Sequence, residues 1–296
     1  MRYLFLIVFV VLFGSQNSFA RIASSYSDVK KFDEKLAAQY SDVQILTIGE
    51  SDSGEQIQAL KIGDGPVKNL VVSTHHGNEY GSTEVALAFA ESVAKNPIMG
   101  RTVYVIPVLN ISGYNHNDRN ELAQSDKTFH DPNRDYPGPC NTEGPFKLKS
   151  TYDLAQFIAK ENIVASATLH TYYPAVVYPW GLSTHDLATP YQELFMELTR
   201  AATQESGYEI GNSTEVIYPA DGTYEDYAFW QHGVWSILFE LGDSHSPSDS
   251  DLQRMIDVNL PGLRRMLEKA PTERAADHGF HGRCDLSLKV YDKHDE

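Results

Sequence analysis

Two hydrophobic periodicities alternate along most of the chain beyond its first 20 residues. Short runs of apolar and β-branched residues predict strands at 43–48, 58–62, 69–74, 102–108, 163–169, 175–178 and 235–241. Between them, apolar residues recur every three or four positions and predict helices at 26–40, 82–95, 190–206, 224–232 and 251–267. This alternation of strands and helices is typical of an α/β domain, and we predict that class.

The first 20 residues have the pattern of a secretory signal peptide. Arg2 precedes an apolar run from 3 to 14, and Ser18 and Ala20 supply the small residues that cleavage requires. The run is short for a membrane span, which favours a cleaved leader over an uncleaved anchor. We therefore expect an exported protein, periplasmic or secreted, with no membrane attachment after cleavage.

The rest of the chain shows no internal repeat and no linker between domains. We expect one catalytic domain over residues 21–270 and a polar C-terminal tail over 271–296. The stretch 110–149 is rich in Asn, Asp, Pro and Gly and lacks periodicity. A loop of this length inside a compact domain is usually functional.

Composition narrows the classes of partner. With 40 Asp and Glu against 24 Lys and Arg, the formal net charge is −16. Such a charge repels phosphate backbones and anionic lipids, so we expect neither nucleic acid nor a membrane surface as a partner. We expect a monomer.

Cys140 and Cys284 are the two cysteines, and in an oxidising compartment they form one disulfide or remain two free thiols.

Three residues in different parts of the chain have the chemistry of metal ligands. His76 and Glu79 follow a predicted strand and are three residues apart, which puts both side chains on one face of a turn. His170 lies at the carboxyl end of another predicted strand, where ligands bind in open α/β sheets. Two His and one Glu leave a fourth zinc position open for water, as in catalytic zinc sites.

Polar residues near this predicted metal site suggest the rest of a hydrolase. Glu240 ends an apolar strand, and a carboxylate there is costly to bury unless it has a task such as taking a proton from water. In the long polar loop, Asn133 and Arg134 can grip a terminal carboxylate. Asp131 is placed to hydrogen-bond a ligand imidazole, and His75 is a neighbour of the site.

Together these motifs resemble the zinc carboxypeptidases of the pancreatic carboxypeptidase A/B type. The resemblance extends from Tyr26 to about Leu267 and keeps the family's order of motifs. Its segments are His76-Gly77-Asn78-Glu79, the carboxylate-binding loop Asp131-Pro132-Asn133-Arg134, the strand end Leu169-His170-Thr171-Tyr172, and Phe239-Glu240-Leu241.

The resemblance implies a single domain with a central mixed, mostly parallel twisted sheet flanked by helices. It also implies one zinc ion and hydrolysis of the C-terminal residue of a peptide with a free carboxylate. Tyr218, 22 residues before Glu240, takes the place of the family's lid tyrosine. Arg119 is the candidate for the arginine that stabilises the oxyanion, although its spacing to Asn133 differs from the pancreatic enzymes.

Glu225 falls where the family places the floor of the terminal side-chain pocket. An acid there favours a cationic group in the substrate, such as Lys, Arg or the diaminopimelate of cell-wall peptides. The neighbouring Asp226 leaves the register open. Asn78 stands where pancreatic members have an arginine, which suggests an altered outer cleft.

Other interpretations of the sequence stay open. His-Gly-Asn-Glu also resembles the zinc motif of the aspartoacylase and succinylglutamate desuccinylase group, which deacylates N-acyl amino acids. A zinc-holding or peptide-binding module without activity is a second alternative. His278, His281 and Cys284 are spaced by three residues and could form a second metal site.

Overall fold

The structure is a computed structural model that describes residues 22–140 and 145–284. The predicted signal peptide and residues 285–296 lie outside the described residues. The helices are α1 (Tyr26–Gln39), α2 (Tyr80–Lys95), α3 (Ile111–His116), α4 (Lys149–Glu161), α5 (Gln192–Ala202), α6 (Ser213–Val216), α7 (Tyr224–His232) and α8 (Asp249–Lys269). None of the described helices is both long and apolar enough to cross a bilayer.

The strands form one large sheet and one small hairpin. They are β1 (Val43–Glu50), β2 (Gln56–Ile62), β3 (Val67–Ser73), β4 (Arg101–Ile106), β5 (Glu121–Leu122), β6 (Phe129–His130), β7 (Ala165–His170), β8 (Ala175–Tyr178), β9 (Glu209–Asn212) and β10 (Trp235–Glu240). The eight-stranded sheet has the order β1-β2-β4-β3-β7-β10-β8-β9, and β5 pairs with β6. The predicted single α/β domain with a mixed sheet is confirmed.

Parallel pairing in the middle of the sheet sets the position of the candidate site. β3 pairs in parallel with β4 and β7, and β7 pairs in parallel with β10. The register places Glu240 opposite His170 and Ser73 opposite Leu169. Because parallel strands end at the same edge, the residues that follow β3, β7 and β10 meet there.

The middle strands of the sheet are buried because helices cover both faces. One core cluster includes apolar residues of α2, α5 and α8, and the other includes those of α4 and α7. Along β3, Val71 belongs to the first cluster, while Leu70 and Val72 belong to the second. This alternation follows from the period of two in a strand and explains why residues 70–72 of β3 are apolar in succession.

The predicted polar loop at 110–149 holds more regular structure than its composition indicates. It contains α3, the β5–β6 hairpin and a 3₁₀ turn at Pro132–Arg134, and α4 follows directly. The hydrophobic pattern did not predict α4, which has no capping side chain at its N-terminus. Asp135 and Asp52 instead accept hydrogen bonds from the backbone N–H groups of Leu148 and Lys149. A helix capped by residues distant in sequence lacks the local start signal.

The predicted polar tail packs against the domain as far as residue 284. Arg274 donates to the carbonyl oxygens of Ile158 and Ile163, and Ala275 is buried. Cys140 and Cys284 form a disulfide with 5.4 Å between their Cα atoms. The cysteine sulfur is therefore committed to a covalent bond, and the second metal site considered for Cys284 is wrong.

Candidate active site

The carboxyl ends of β3 and β7 bring the three candidate metal ligands together. His76 and Glu79 lie in the turn between β3 and α2, and His170 is the last residue of β7. The turn passes so close to α3 that a Cβ atom on Gly77 would lie 2.0 Å from the backbone carbon of Gly113. A residue without a side chain is required there, so glycine allows the His76–Glu79 turn to adopt this path.

The ligand atoms of His76, Glu79 and His170 lie within 4.8 Å of one another and are all buried. The Nδ1 atoms of the two histidines are 3.2 Å apart, and Glu79 Oε2 lies 3.1 Å from His170 Nδ1. Burial opposes ionisation of Glu79, but His76 and His170 outweigh it and lower its pKa. Two imidazoles and an ionised carboxylate facing one point fit a zinc ion.

A carboxylate behind His76 fixes the orientation of its ring. His76 donates from Nε2 to Asp131 Oδ1 over 3.0 Å, which leaves Nδ1 as the ligand atom. Asp131 Oδ2 accepts from Arg119, whose Nη2 lies 3.1 Å away. Although burial opposes its ionisation, His76 and Arg134 hold the pKa of Asp131 well below its usual range. One acid therefore positions both the predicted zinc ligand and the predicted oxyanion arginine.

Glu240 lies at the end of β10, beside His170 in the sheet register. Its Oε2 atom is buried and has no hydrogen-bond partner among the described residues. Burial, and then the negative charge of Glu79, raise the pKa of Glu240 well above its usual range. A carboxyl group with an unpartnered oxygen beside a metal-ligand set is suited to proton transfer.

The residues predicted to hold a terminal carboxylate form a second group beside the metal ligands. Arg134 Nη2 donates to Tyr218 Oη over 3.2 Å, and the guanidinium carbon lies 5.8 Å from the centre of the Tyr218 ring. Asn133 Oδ1 accepts from the backbone N–H of Tyr224, the first residue of α7. The loop after β6 is thereby joined to the helix that carries Glu225.

The two acids at the start of α7 have different surroundings. Glu225 is buried and lines the same cavity as the candidate ligands, with its carboxylate hydrogen-bonded to the Thr168 hydroxyl. Asp226 accepts from the backbone N–H of Gly181, at 3.1 and 3.0 Å, and does not line the cavity. The acid in the cavity wall is therefore Glu225, and its role in the substrate pocket stays a prediction.

All nine predicted site residues line one cavity between the sheet edge, the 131–134 loop and α7. They are His76, Glu79, Arg119, Asn133, Arg134, His170, Tyr218, Glu225 and Glu240. The cavity has a volume of about 80 Å³, and apolar side chains such as Ile217 and Leu238 line it beside the polar ones. The structure thus brings all of the predicted residues together, and their individual roles stay predictions.

Two further histidines lie at the site. His75 stacks on His170, with ring centroids 5.5 Å apart, and shares a 3.0 Å hydrogen bond with Tyr136 Oη. His75 was predicted from the sequence as a neighbour of the site. His245 also lines the cavity and was missed, because it follows β10 in a polar loop where its spacing carries no signal.

Comparison with known proteins agrees with this geometry. A family model described as zinc carboxypeptidase matches residues 29–262. Carboxypeptidase B of Astacus astacus is 26% identical over 263 residues, which cover 74% of this chain and 86% of that protein. Carboxypeptidase B of Homo sapiens is 27% identical over 242 residues, and the match covers 67% of this chain but only 57% of the human protein.

Solved structures share the fold at lower identity. Bovine thrombin-activatable fibrinolysis inhibitor, in complex with a tick carboxypeptidase inhibitor, has a TM-score of 0.73 at 20% identity, over 82% of this chain and 95% of that one. The murein-tripeptide amidase of Escherichia coli O157 has a TM-score of 0.53 at 16% identity, over 75% of this chain and 91% of that one. Because the family match spans most of the folded domain, the chain belongs to the zinc carboxypeptidase family and is a zinc metallocarboxypeptidase that uses one zinc ion.

Proposed function

We propose that this enzyme is exported and removes the C-terminal residue of peptides when that residue has a cationic side chain. The candidate substrates end in Lys, Arg or the diaminopimelate of cell-wall peptides. The observation that carries the proposal is the position of Glu225, whose carboxylate is buried in the wall of the cavity that also contains Arg134 and the metal ligands. The family match to zinc carboxypeptidases does not favour the deacylase alternative.

The terminal carboxylate is held by the group around Arg134. A guanidinium offers two parallel N–H donors that fit a carboxylate, and Asn133 lies beside it in the 3₁₀ turn. The Tyr218 hydroxyl already accepts a hydrogen bond from Arg134, so it can join the same carboxylate with a small movement. These three residues place the scissile bond toward His76, Glu79 and His170.

Glu240 is the proposed general base. Its unpartnered Oε2 atom can take a proton from the attacking water and later give it to the leaving amine. Arg119, held by Asp131, stabilises the negative charge that develops on the carbonyl oxygen. When bound by His76, Glu79 and His170, zinc supplies Lewis-acid chemistry that polarises the carbonyl and acidifies water.

The charge of Glu225 is the basis for selecting the terminal residue. A buried carboxylate is costly unless a hydrogen bond or a cation compensates it, and Thr168 supplies one hydrogen bond. An incoming ammonium or guanidinium group supplies the opposite charge. Ile217 and Leu238 line the same cavity and fit the methylene groups of a Lys or Arg side chain.

Diaminopimelate satisfies the same requirements because it has a terminal carboxylate and a side-chain amine. The fold is shared with a murein-tripeptide amidase, which acts on a cell-wall peptide, and this makes muropeptides reasonable substrates to test. The side chain of diaminopimelate also carries a second carboxylate, which would lie near Glu225. Because this carboxylate and that of Glu225 repel each other, we expect Lys and Arg to be favoured over diaminopimelate as the terminal residue.

The test compares terminal residues in otherwise identical peptides. Glu225→Gln should lower kcat/KM for C-terminal Lys about tenfold to a hundredfold, the usual effect of losing a hydrogen bond to a charged group. The rate for C-terminal Leu should change little. Glu215→Gln, an exposed acid in α6, is the matched control. Wild-type cleavage of Leu or Phe ahead of Lys, Arg and diaminopimelate contradicts the proposal.

A further inference from the structure

A second groove adjoins the catalytic cavity on the side of α2. We call it the outer groove, and its lining includes Asn78, Asn117, Tyr172, Ser244 and His245. Tyr172 and His245 line the catalytic cavity as well, so the two spaces are adjacent. The outer groove contains none of the residues proposed to hold the terminal residue of the substrate.

The position of the outer groove suits the part of the peptide that precedes the scissile bond. Arg134 and Glu225 would hold the residue that is released, and the metal ligands lie at the scissile bond. Since the outer groove leads away from that bond without sharing Arg134 or Glu225, the chain that precedes the bond lies there.

His245 is fixed in the shared wall by contacts on three sides. Its Nδ1 atom lies 3.1 Å from Thr171 Oγ1, and its backbone oxygen accepts from Gly81 N over 3.0 Å. Its ring meets the ring of Tyr172 edge-on, with centroids 4.9 Å apart. Thr171 in turn donates its backbone N–H to Glu79 Oε2. The imidazole is therefore held at a set position relative to the metal ligands.

One ring nitrogen of His245 stays available to a substrate. Thr171 Oγ1 can donate to Nδ1, which makes Nε2–H the donor of a neutral imidazole. Nε2 has no hydrogen-bond partner within residues 22–140 and 145–284. The half-buried Asn78 amide lies in the same groove, and its Oδ1 atom is buried without a partner in that part of the chain. His245 Nε2 is thus a hydrogen-bond donor at the outer groove that the described residues leave unused.

We propose that His245 determines specificity in the outer groove, and that the groove selects a neutral hydrogen-bonding side chain, such as Gln, immediately before the scissile bond. This inference rests on the proposed function, because it assumes that the terminal residue lies against Arg134 and Glu225. It adds a preference for the preceding residue, to which neither of those residues contributes.

Apolar and acidic side chains fit the outer groove less well. Among the residues that line the outer groove, Tyr172 has the largest apolar surface, so a Leu side chain has little else to pack against. A Leu side chain would also displace water from the polar groups of His245 and Asn78 without replacing its hydrogen bonds. The exposed carboxylate of Asp243 is also part of the lining and repels an acidic side chain. Neutral amides avoid both penalties and can accept from His245 Nε2.

The test uses N-blocked dipeptides Gln-Lys, Glu-Lys and Leu-Lys with the zinc-loaded enzyme. For the wild type, kcat/KM should be about tenfold higher for Gln-Lys than for Leu-Lys, the value of roughly one hydrogen bond. In His245→Leu this ratio should fall to about one or invert, because the donor is replaced by an apolar surface. His245→Gln keeps a donor and should retain a preference for Gln-Lys.

The outcomes separate the two proposals. No release of Lys from any of the three peptides by the wild type overturns the proposed function. Release of Lys at equal rates from Gln-Lys and Leu-Lys, or an unchanged ratio in His245→Leu, overturns the role of His245 and leaves the proposed function intact. Zinc content and Tm are measured for each variant. If His245→Leu does not fold, His245→Phe keeps the ring contact with Tyr172 and gives the same comparison.

Discussion

Glu121 is a fully buried acid whose removal should make the protein more stable at alkaline pH. Ser150 Oγ donates to Glu121 Oε2 over 2.5 Å, and the backbone N–H of Asp52 donates to Oε1 over 3.3 Å. Neither donor is charged, and the carboxylates of Asp52 and Asp135 lie close by. In Glu121→Gln, the amide oxygen can keep the Asp52 contact and the amide nitrogen can donate to Ser150.

The expected size of the effect follows from the pKa of this acid. Burial, with a smaller contribution from the charges of Asp52 and Asp135, raises the pKa of Glu121 from its ordinary 4.5 to about 7. At 1.36 kcal/mol for each pKa unit, the protonated acid contributes roughly 3 kcal/mol more to the free energy of unfolding than the ionised acid does. Because the pKa is higher in the folded state than in the unfolded state, this contribution is fully present below pH 4.5 and is lost as the pH rises through about 7.

Urea unfolding of wild type and variant at two pH values measures the effect. At pH 8.5, Glu121→Gln should be more stable than the wild type by about 3 kcal/mol, and at pH 5 by about 1 kcal/mol. Taking the difference between the two proteins at each pH cancels the titration of the metal ligands. Asp64→Asn, an exposed acid in the loop between β2 and β3, is the control and should change stability by less than about 0.5 kcal/mol at both values.

A variant that is equally stabilised at both pH values, or is destabilised at pH 8.5, refutes the reasoning. The first result would mean that Glu121 has the same pKa in the folded and unfolded states. The second would mean that its ionised form is compensated in the folded protein by a cation or by water.

Three further predictions concern the site and its supports. Glu240→Gln should retain one zinc per chain, by metal analysis, and lose about a hundredfold to ten-thousandfold in kcat; near-wild-type turnover would exclude a general base. Gly77→Ala should lower Tm and zinc affinity, because its Cβ would lie 2.0 Å from the Gly113 backbone, while Gly279→Ala, with nothing nearer than 3.5 Å, should leave both unchanged. Cys140→Ser with Cys284→Ser should lower the free energy of unfolding by about 2–5 kcal/mol, measured against the oxidised wild type in urea. An unchanged urea midpoint would show that the cross-link does not limit unfolding.

Much of the site could be predicted because its signals are local. A His and a Glu three residues apart after a strand, and acidic or imidazole groups at the ends of apolar strands, are visible in a linear pattern. The same pattern of apolar runs predicted the central strands within two residues of their observed bounds. Each of these signals can be recognised from the residue types within a single strand or turn.

Tertiary structure decided the features that depend on residues distant in sequence. The start of α4 is stabilised by Asp52 and Asp135, so the 149–161 segment carries no capping signal of its own. The choice between Glu225 and Asp226 depended on which one the turn at Gly181 engages. His245 reaches the cavity because Thr171 and Gly81 bind its loop.

The sequence by itself therefore determined the ligand set, the candidate base and the α/β class, since local spacing and hydrophobic period encode them. Only the folded chain decided which loop residues join the cavity, whether Cys140 pairs with Cys284, and how far the 271–284 segment packs on the domain. Those outcomes depend on distances between segments, and a linear pattern holds no information on such distances until the sheet register fixes them.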